Sequence, residues 1–511
     1  MSIPLIYQDE VMETVIVKRT QRIHHPGNDD ISHNCHLSKN LWNQLHYLVY
    51  PEYKESGYVQ SYEDIDKVLN DRMYSGYKKD GKYCEDFDNY HKLGATAQQI
   101  EKVYFTSWKS YLKGIKDYWE SKKNGDNKDY TGKPREPKYK KKDGEFELIF
   151  TYQQIKFRES RDGNIWMIFP KNKGNGLKGK DGKPLKILLG NVNDLDSYLI
   201  NRLMFGKFDI VRIIPKGTGY WIEIVYDEEI IKDKEVLRKK YGLNKDIIMT
   251  IDTGVENLIT ITDNIGSQPI IIKSEIWKAE NQWYNKRISE LNSVYDRQKV
   301  GCFLKKDKLG RIKYLTNKNG EKIETLTENR NNFVMNAEHK ASRFVIERAL
   351  DIKATKVVFN KNPGWKQKVR LGKKNNQNFV QIPFAKIIDK TRYKGEEYGI
   401  DVLDKREDHT SKCSFLASES IEHHDVYLGK RIYRGLFKCS VGVDISAWIG
   451  SNKKKIMDTI NADVQGAYNG LRNVNPRFSV LDIMEGVVAH GLVPKRLSVS
   501  DLMNKSYEDL S

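Results

Sequence analysis

The sequence predicts a multidomain protein of the α/β-plus-β class. Three observations carry this. The 511-residue chain exceeds what one hydrophobic core ordinarily organises. Between about 145 and 228, short apolar runs alternate with Gly- and Asn-containing turns, a β signature. From 246 onward, three strand-like runs are followed by helical and strand patterns in alternation, which gives a mixed sheet with helices.

The elements follow in order along the chain. Residues 12–24 alternate like a strand, and 33–50 are helical, with Leu37, Leu41, Trp42 and Leu45 on one side. Residues 95–122 repeat the helical pattern through Ile100, Tyr104, Trp108 and Ile115. A Gly/Pro/Lys-rich stretch at 123–144 is a loop. The runs FELIFTY, IWMIFP, KILLG, DIVRII and YWIEIVY then suit a small antiparallel barrel or sandwich, and 230–244 is a charged connector. IIMTIDTG, LITITDN and PIIIK are three strands. Helices at 275–299 and 327–351, strand KATKVVF, a helix at 383–399 opened by Pro383 and strand IDVL follow. A last helix is expected over 455–472, with Ile456, Ile460, Val464, Ala467 and Leu471 on one face. Three early strands and then alternation are what an RNase H-like domain requires. No internal repeat is visible.

The net charge of +18 calls for a polyanionic partner. No apolar run approaches the ~20 residues of a bilayer span. Met1–Leu5 lacks signal-peptide architecture. Nucleic acid in a cytoplasmic setting is therefore the expectation, with no membrane partner. Five cysteines without a CxxC argue against a disulfide framework.

Phosphodiester cleavage by two metal ions needs carboxylates converging from separate elements, with ions ~3.5–4 Å apart. Asp252 ends an apolar strand and precedes Thr253-Gly254, where glycine permits a tight turn; a plain turn aspartate has the same appearance. Asp463 lies in INADVQGAYNGLRN, with Gly466 and Ala467 three and four residues on, leaving room on that helix face. A helix N-terminal Asp favoured by the dipole is the plainer reading there. Glu407, in DKREDHTSK, is by itself one charge in a charged loop.

These stretches resemble the TnpB family of transposon-encoded, RNA-guided DNA nucleases, relatives of the type V CRISPR effectors. The resemblance lies in TIDTGVENLITITDN (250–264), residues 360–403, DHTSKCSFL (408–416), YLGKRIYRGLFK (427–438) and INADVQGAYNGLRN (460–473), with weaker matches from about residue 35. It implies a RuvC domain at 236–405 and 456–511, split by a target nucleic-acid-binding insert at 406–455. It also implies an oligonucleotide-binding-like wedge β-barrel at 1–32 and 126–235, interrupted by a helical recognition domain at 33–125. Asp252 and Asp463 match the first and last metal-binding aspartates. Many relatives carry their glutamate at the end of the strand that here reads KVVF, where this chain has Asn360. A branch of the family carries it before the TSK-like motif, the place of Glu407, with Asp404 and Asp408 as neighbouring alternatives. Two Mg²⁺ ions are implied.

Relatives often carry two CxxC pairs closing a zinc site. This chain has only Cys413 and Cys439, with His423 and His424 between, so zinc or a zinc-free insert are both open, and the stretch 441–458 is longer than the usual link.

Basic clusters mark nucleic-acid contacts: KPREPKYKKK with Lys138, Lys140, Lys141 and Lys142, and WKQKVRLGKK with Trp365, Lys366, Lys368 and Arg370. Gln98 and Gln99 fall where the family reads a short flanking DNA motif, and Gln can pair with adenine edges. Solvated-surface readings stand beside each. The resemblance implies guide RNA and target DNA as partners, with cutting by metal-activated water that leaves a 5′ phosphate. A non-cutting RNA-guided repressor, a miniature type V effector and, less fittingly, a strand-joining transposase are the alternatives.

Overall fold

The computed structural model describes residues 14–71, 88–124, 132–169, 177–179, 181–195, 197–217, 219–298, 302–306, 312–316, 321–361, 382–406, 409–433 and 435–510. The chain divides into two compact units, Ile16–Glu229 and one that holds Ile230–Ser511.

In the first unit, strand β1 (Thr14–His25) leads to helices α1 (Asp29–Ser56), α2 (Tyr62–Asn70), α3 (Asn89–Leu93) and α4 (Ala95–Lys123). Helix α1 starts where the Asn28 side chain accepts from the Ile31 amide, and ends at Gly57, whose φ of 73° suits glycine. Strands β2 (Leu148–Thr151), β3 (Lys156–Glu159), β4 (Asn164–Ile168) and β5 (Lys186–Asn191), helix α5 (Ser197–Met204), and strands β6 (Ile210–Lys216) and β7 (Gly219–Ile231) complete it. Two sheets result, ordered β1-β7-β6-β2 and β3-β4-β5. One core unites them with the helices, joining Leu41, Leu45, Tyr104 and Trp108 to Phe150, Ile213 and Ile222.

The second unit opens with a short helix α6 (Lys234–Lys240), capped by Asp233, inside the expected connector. Then come β8 (Asn244–Thr253), β9 (Asn257–Asp263), β10 (Ile270–Lys273), α7 (Glu275–Gln298), β11 (Cys302–Lys306), β12 (Ile312–Thr316), α8 (Glu321–Asp351), β13 (Ala354–Asn360), α9 (Phe384–Glu396) and β14 (Asp401–Lys405). Strands β15 (Gly429–Tyr433), β16 (Leu436–Asp444) and β17 (Ile456–Asn461) form a separate antiparallel sheet. Helices α10 (Ala462–Arg472) and α11 (Met484–His490), strand β18 (Lys495–Ser498) and helix α12 (Val499–Asn504) close the chain. The main sheet runs β14-β13-β8-β9-β10-β18. Its β8-β9-β10 part is antiparallel; β13 joins β8, and β14 joins β13, in parallel.

Strand parity sets the chemistry of the two sheet faces. Met249, Ile251, Ile259, Ile261, Val357 and Phe359 enter the core shared with α8 and α9. The intervening Thr250, Asp252 and Asn360 face α10: the Thr250 hydroxyl lies 3.0 Å from the Ala467 carbonyl oxygen, and Asp252 and Asn360 lie against glycines of that helix.

One expectation is corrected. Residues 456–461 are a strand, and the helix begins only at Ala462. Ile460 pairs with Phe437 and is buried against the insert, while the Asn461 side chain accepts from the Asp463 and Val464 amides. That cap fixes the helix start seven residues later than apolar periodicity alone suggests.

Candidate functional site

Asp252 stands next to last on β8, and the chain turns back at Gly254. A Cβ at residue 254 would meet the Asn257 carbonyl oxygen at 2.9 Å, so glycine permits this close return. Asp463 sits in the first turn of α10, where a carboxylate is favoured. Its two oxygens accept from Arg431 (2.9 Å) and Asn257 (2.5 Å). Gly466 lies directly before Asp252; a Cβ there would be 3.2 Å from its Oδ2. Asp252 and Asp463 line one cleft of about 390 Å³, with Asn257, Glu256, Arg431 and Asn461. The two aspartates singled out in the sequence thus meet. Arg431 and Asn257 were not singled out, although Arg431 lies within the stretch YLGKRIYRGLFK.

Glu407 and Asp408 lie outside the described residues. Before them, β14 ends at Lys405, in register with Asn360, which is itself in register with Asp252. Asp404 is paired with Phe359, on the opposite sheet face, and takes a hydrogen bond from Arg392 of α9.

Asn360 is fully buried, and neither its amide nitrogen nor its oxygen has a hydrogen-bond partner among the described residues. A Cβ at Gly470 would lie 1.8 Å from Asn360 Nδ2. Gly470→Ala is therefore expected to destabilise this unit by about 1–3 kcal/mol, overriding the ~1 kcal/mol helix gain of alanine. In a double-mutant cycle with Asn360→Ala, thermal unfolding should show strong coupling; simple additivity would contradict the contact.

Cys413 and Cys439 are both buried, and the Ser414 hydroxyl donates to the Cys439 sulfur at 3.0 Å. Among the described residues no three His, Cys, Asp or Glu side chains are grouped to hold a metal ion.

The nucleic-acid candidates divide. Gln98 is exposed on α4 and Gln99 is half-buried. Lys138, Lys141 and Lys142 are exposed. Lys140 is not: its ammonium lies 4.3 Å from the Trp42 ring centre and 4.5 Å from that of Phe146, and burial lowers its pKa. Trp365, Lys366, Lys368 and Arg370 lie outside the described residues. Among the described residues no helix is long and apolar enough to cross a membrane.

Residues 235–365 match the model of the OrfB_IS605 family, described as a probable transposase. No curated protein matches the chain. Among solved structures, a Cas12f1–sgRNA–target DNA complex shares 14% identity at a TM-score of 0.48, over 86% of this chain and 82% of that one. CasPhi-2 (Cas12j) bound to crRNA shares 11% identity at a TM-score of 0.39, over 89% and 98%. The mini-RNA-guided endonuclease CRISPR-Cas_phi3 also shares 11% at 0.39, over 91% and 92%.

Proposed function

We propose that this chain, a protein of the TnpB family, is an RNA-guided DNA endonuclease whose cleavage centre is built on Asp252 and Asp463. The observation that carries the proposal is their convergence on one cleft from two elements, the end of β8 and the first turn of α10. The sheet order, an antiparallel β8-β9-β10 meander continued by parallel β13 and β14, supports the RNase H-like, RuvC reading of this unit. The two-sheet and helical first unit supports the wedge and recognition reading.

The donor set suits magnesium, which takes one or two carboxylates and keeps water and phosphate oxygens for the rest. Asp252 and Asp463 would hold it, with Glu407 as the third acid; when bound, it supplies Lewis-acid charge and a more acidic water. The surrounding side chains have separate tasks. Asn257 and Arg431 fix the Asp463 carboxylate from both oxygens. Arg431 also brings a guanidinium to the rim, a group that binds phosphate through two parallel hydrogen bonds. Gly466 keeps the helix surface before Asp252 open. Guide pairing would choose the target, with Gln98 in contact with the flanking duplex.

A non-cutting repressor is the second reading. It is favoured by Asn360, a neutral residue buried beside Asp252. To separate the two, the protein is purified with co-expressed RNA, that RNA is sequenced, and a randomised-flank DNA library is incubated with the complex and Mg²⁺. Ends recovered at guide-matched sites beside one flanking motif are the expected result. Enrichment of bound, intact DNA would establish the repressor.

A further inference from the structure

We propose that the insert following β14 is closed by a carboxylate, that of Glu419, in the place where relatives are closed by zinc. Glu419 is 5% exposed. One of its oxygens accepts from the Ser414 amide at 2.6 Å and the other from the Leu428 amide at 2.8 Å. A single side chain thus pins both ends of the 414–428 loop, the task a tetrahedral ion performs in a zinc knuckle.

The two sulfurs are engaged otherwise. A zinc-ligating cysteine is a thiolate with no proton to donate. Here the Cys439 thiol donates to the Val441 carbonyl at 2.7 Å while accepting from the Ser414 hydroxyl. The Cys413 thiol faces the Glu422 carbonyl at 3.5 Å, and burial raises its pKa. The His424 ring is bonded to the Ser420 carbonyl at 2.8 Å, and His409 packs edge-on to His423. Of the two readings left open by the sequence, a zinc site on Cys413 and Cys439 does not fit this arrangement.

Helix α10 completes the clamp. Gln465, Asn469 and Arg472 form one stripe at helical spacing. Gln465 and Asn469 donate to the Cys413 carbonyl, and Asn469 also to that of Thr410. Arg472, 8% exposed, donates to the Glu419 carbonyl at 2.7 Å and to that of Ser418 at 3.1 Å. Both buried charges are hydrogen-bonded, and the Glu419 charge favours the charged form of Arg472. The clamp also fixes the rotation of α10, whose other stripe carries Asp463, Gly466 and Gly470 toward the sheet.

The test uses the full chain with its co-purified RNA. Elemental analysis is expected to find far less than one zinc per chain, and a zinc-selective chelator should leave the thermal midpoint unmoved. Glu419→Gln keeps the shape but sets an amide against one of the two N–H groups, and should lower the midpoint by about 5 °C. Cys413→Ser with Cys439→Ser keeps a hydroxyl donor at both places and should shift it by no more than about 3 °C. One zinc per chain with chelator-induced melting would overturn the proposal. So would a silent Glu419→Gln beside a collapsed double-serine variant. Should the glutamine variant fail to fold, the zinc content and chelator response of the unaltered chain still decide.

Discussion

Replacing Asp252 with alanine should slow guide-directed DNA cleavage by about 10³-fold or more while leaving guide-dependent binding nearly unchanged. The size follows from the several kcal/mol of charge stabilisation that a correctly held metal ion supplies, at ~1.4 kcal/mol per decade. The specificity follows from place. Asp252 faces α10 from the interior of the sheet and lines the cleft. Asp463→Ala should give a loss of the same order, with a difference. It also strips Arg431 and Asn257 of their shared partner, leaving a guanidinium at the rim without its counter-charge. A measurable gain in phosphate-backbone affinity, with a steeper salt dependence, should accompany that variant alone. Single-turnover cleavage and equilibrium binding on one guide-matched duplex check both.

The second large effect is at Glu407. Glu407→Gln should lower cleavage by about 10²–10³-fold, because it removes one charge from a site whose chemistry is electrostatic. Restoring an acid at the neighbouring strand end should not compensate. Asn360 already fills the space over Gly470, and a longer glutamate would have to displace the helix that carries Asp463. Asn360→Glu with Glu407→Gln is therefore expected to stay inactive. Undiminished cutting by Glu407→Gln would move the assignment to Asp408. Asp404 is disfavoured, since it is paired with Phe359 on the far sheet face and bonded to Arg392.

The physical reasons for what the sequence disclosed are specific. Five of the six main-sheet strands are legible because buried strands read as apolar runs ending in turn residues, as IIMTIDTG does, whereas β18, with only Leu497 buried, carries no such run. The start of α10 was misread because Ile456 and Ile460 fit helical and strand spacing alike in a short segment, and the decisive Asn461 cap is a single polar residue. Neighbouring glycines make Asp252 and Asp463 plausible, and the family resemblance is what sets them apart from a turn aspartate and a helix N-terminal aspartate. Arg431 is not singled out, because its importance lies in a contact 32 residues along the chain. Lys140 shows the reverse case. Its surrounding lysines suggest a phosphate-binding surface, yet its charge is spent between Trp42 and Phe146. Glu419 was equally silent, since a buried carboxylate that caps two amides looks in sequence like any surface acid.

The most direct test of the cleavage centre is the cutting of one guide-matched duplex by the purified protein–RNA complex as Mg²⁺ is removed and restored. Cleavage should stop on chelation and return with added Mg²⁺ in the unaltered protein, and be absent throughout in Asp252→Ala. Cutting that persists in Asp252→Ala, or guide-dependent binding without cutting by the unaltered protein at any Mg²⁺ concentration, would contradict it.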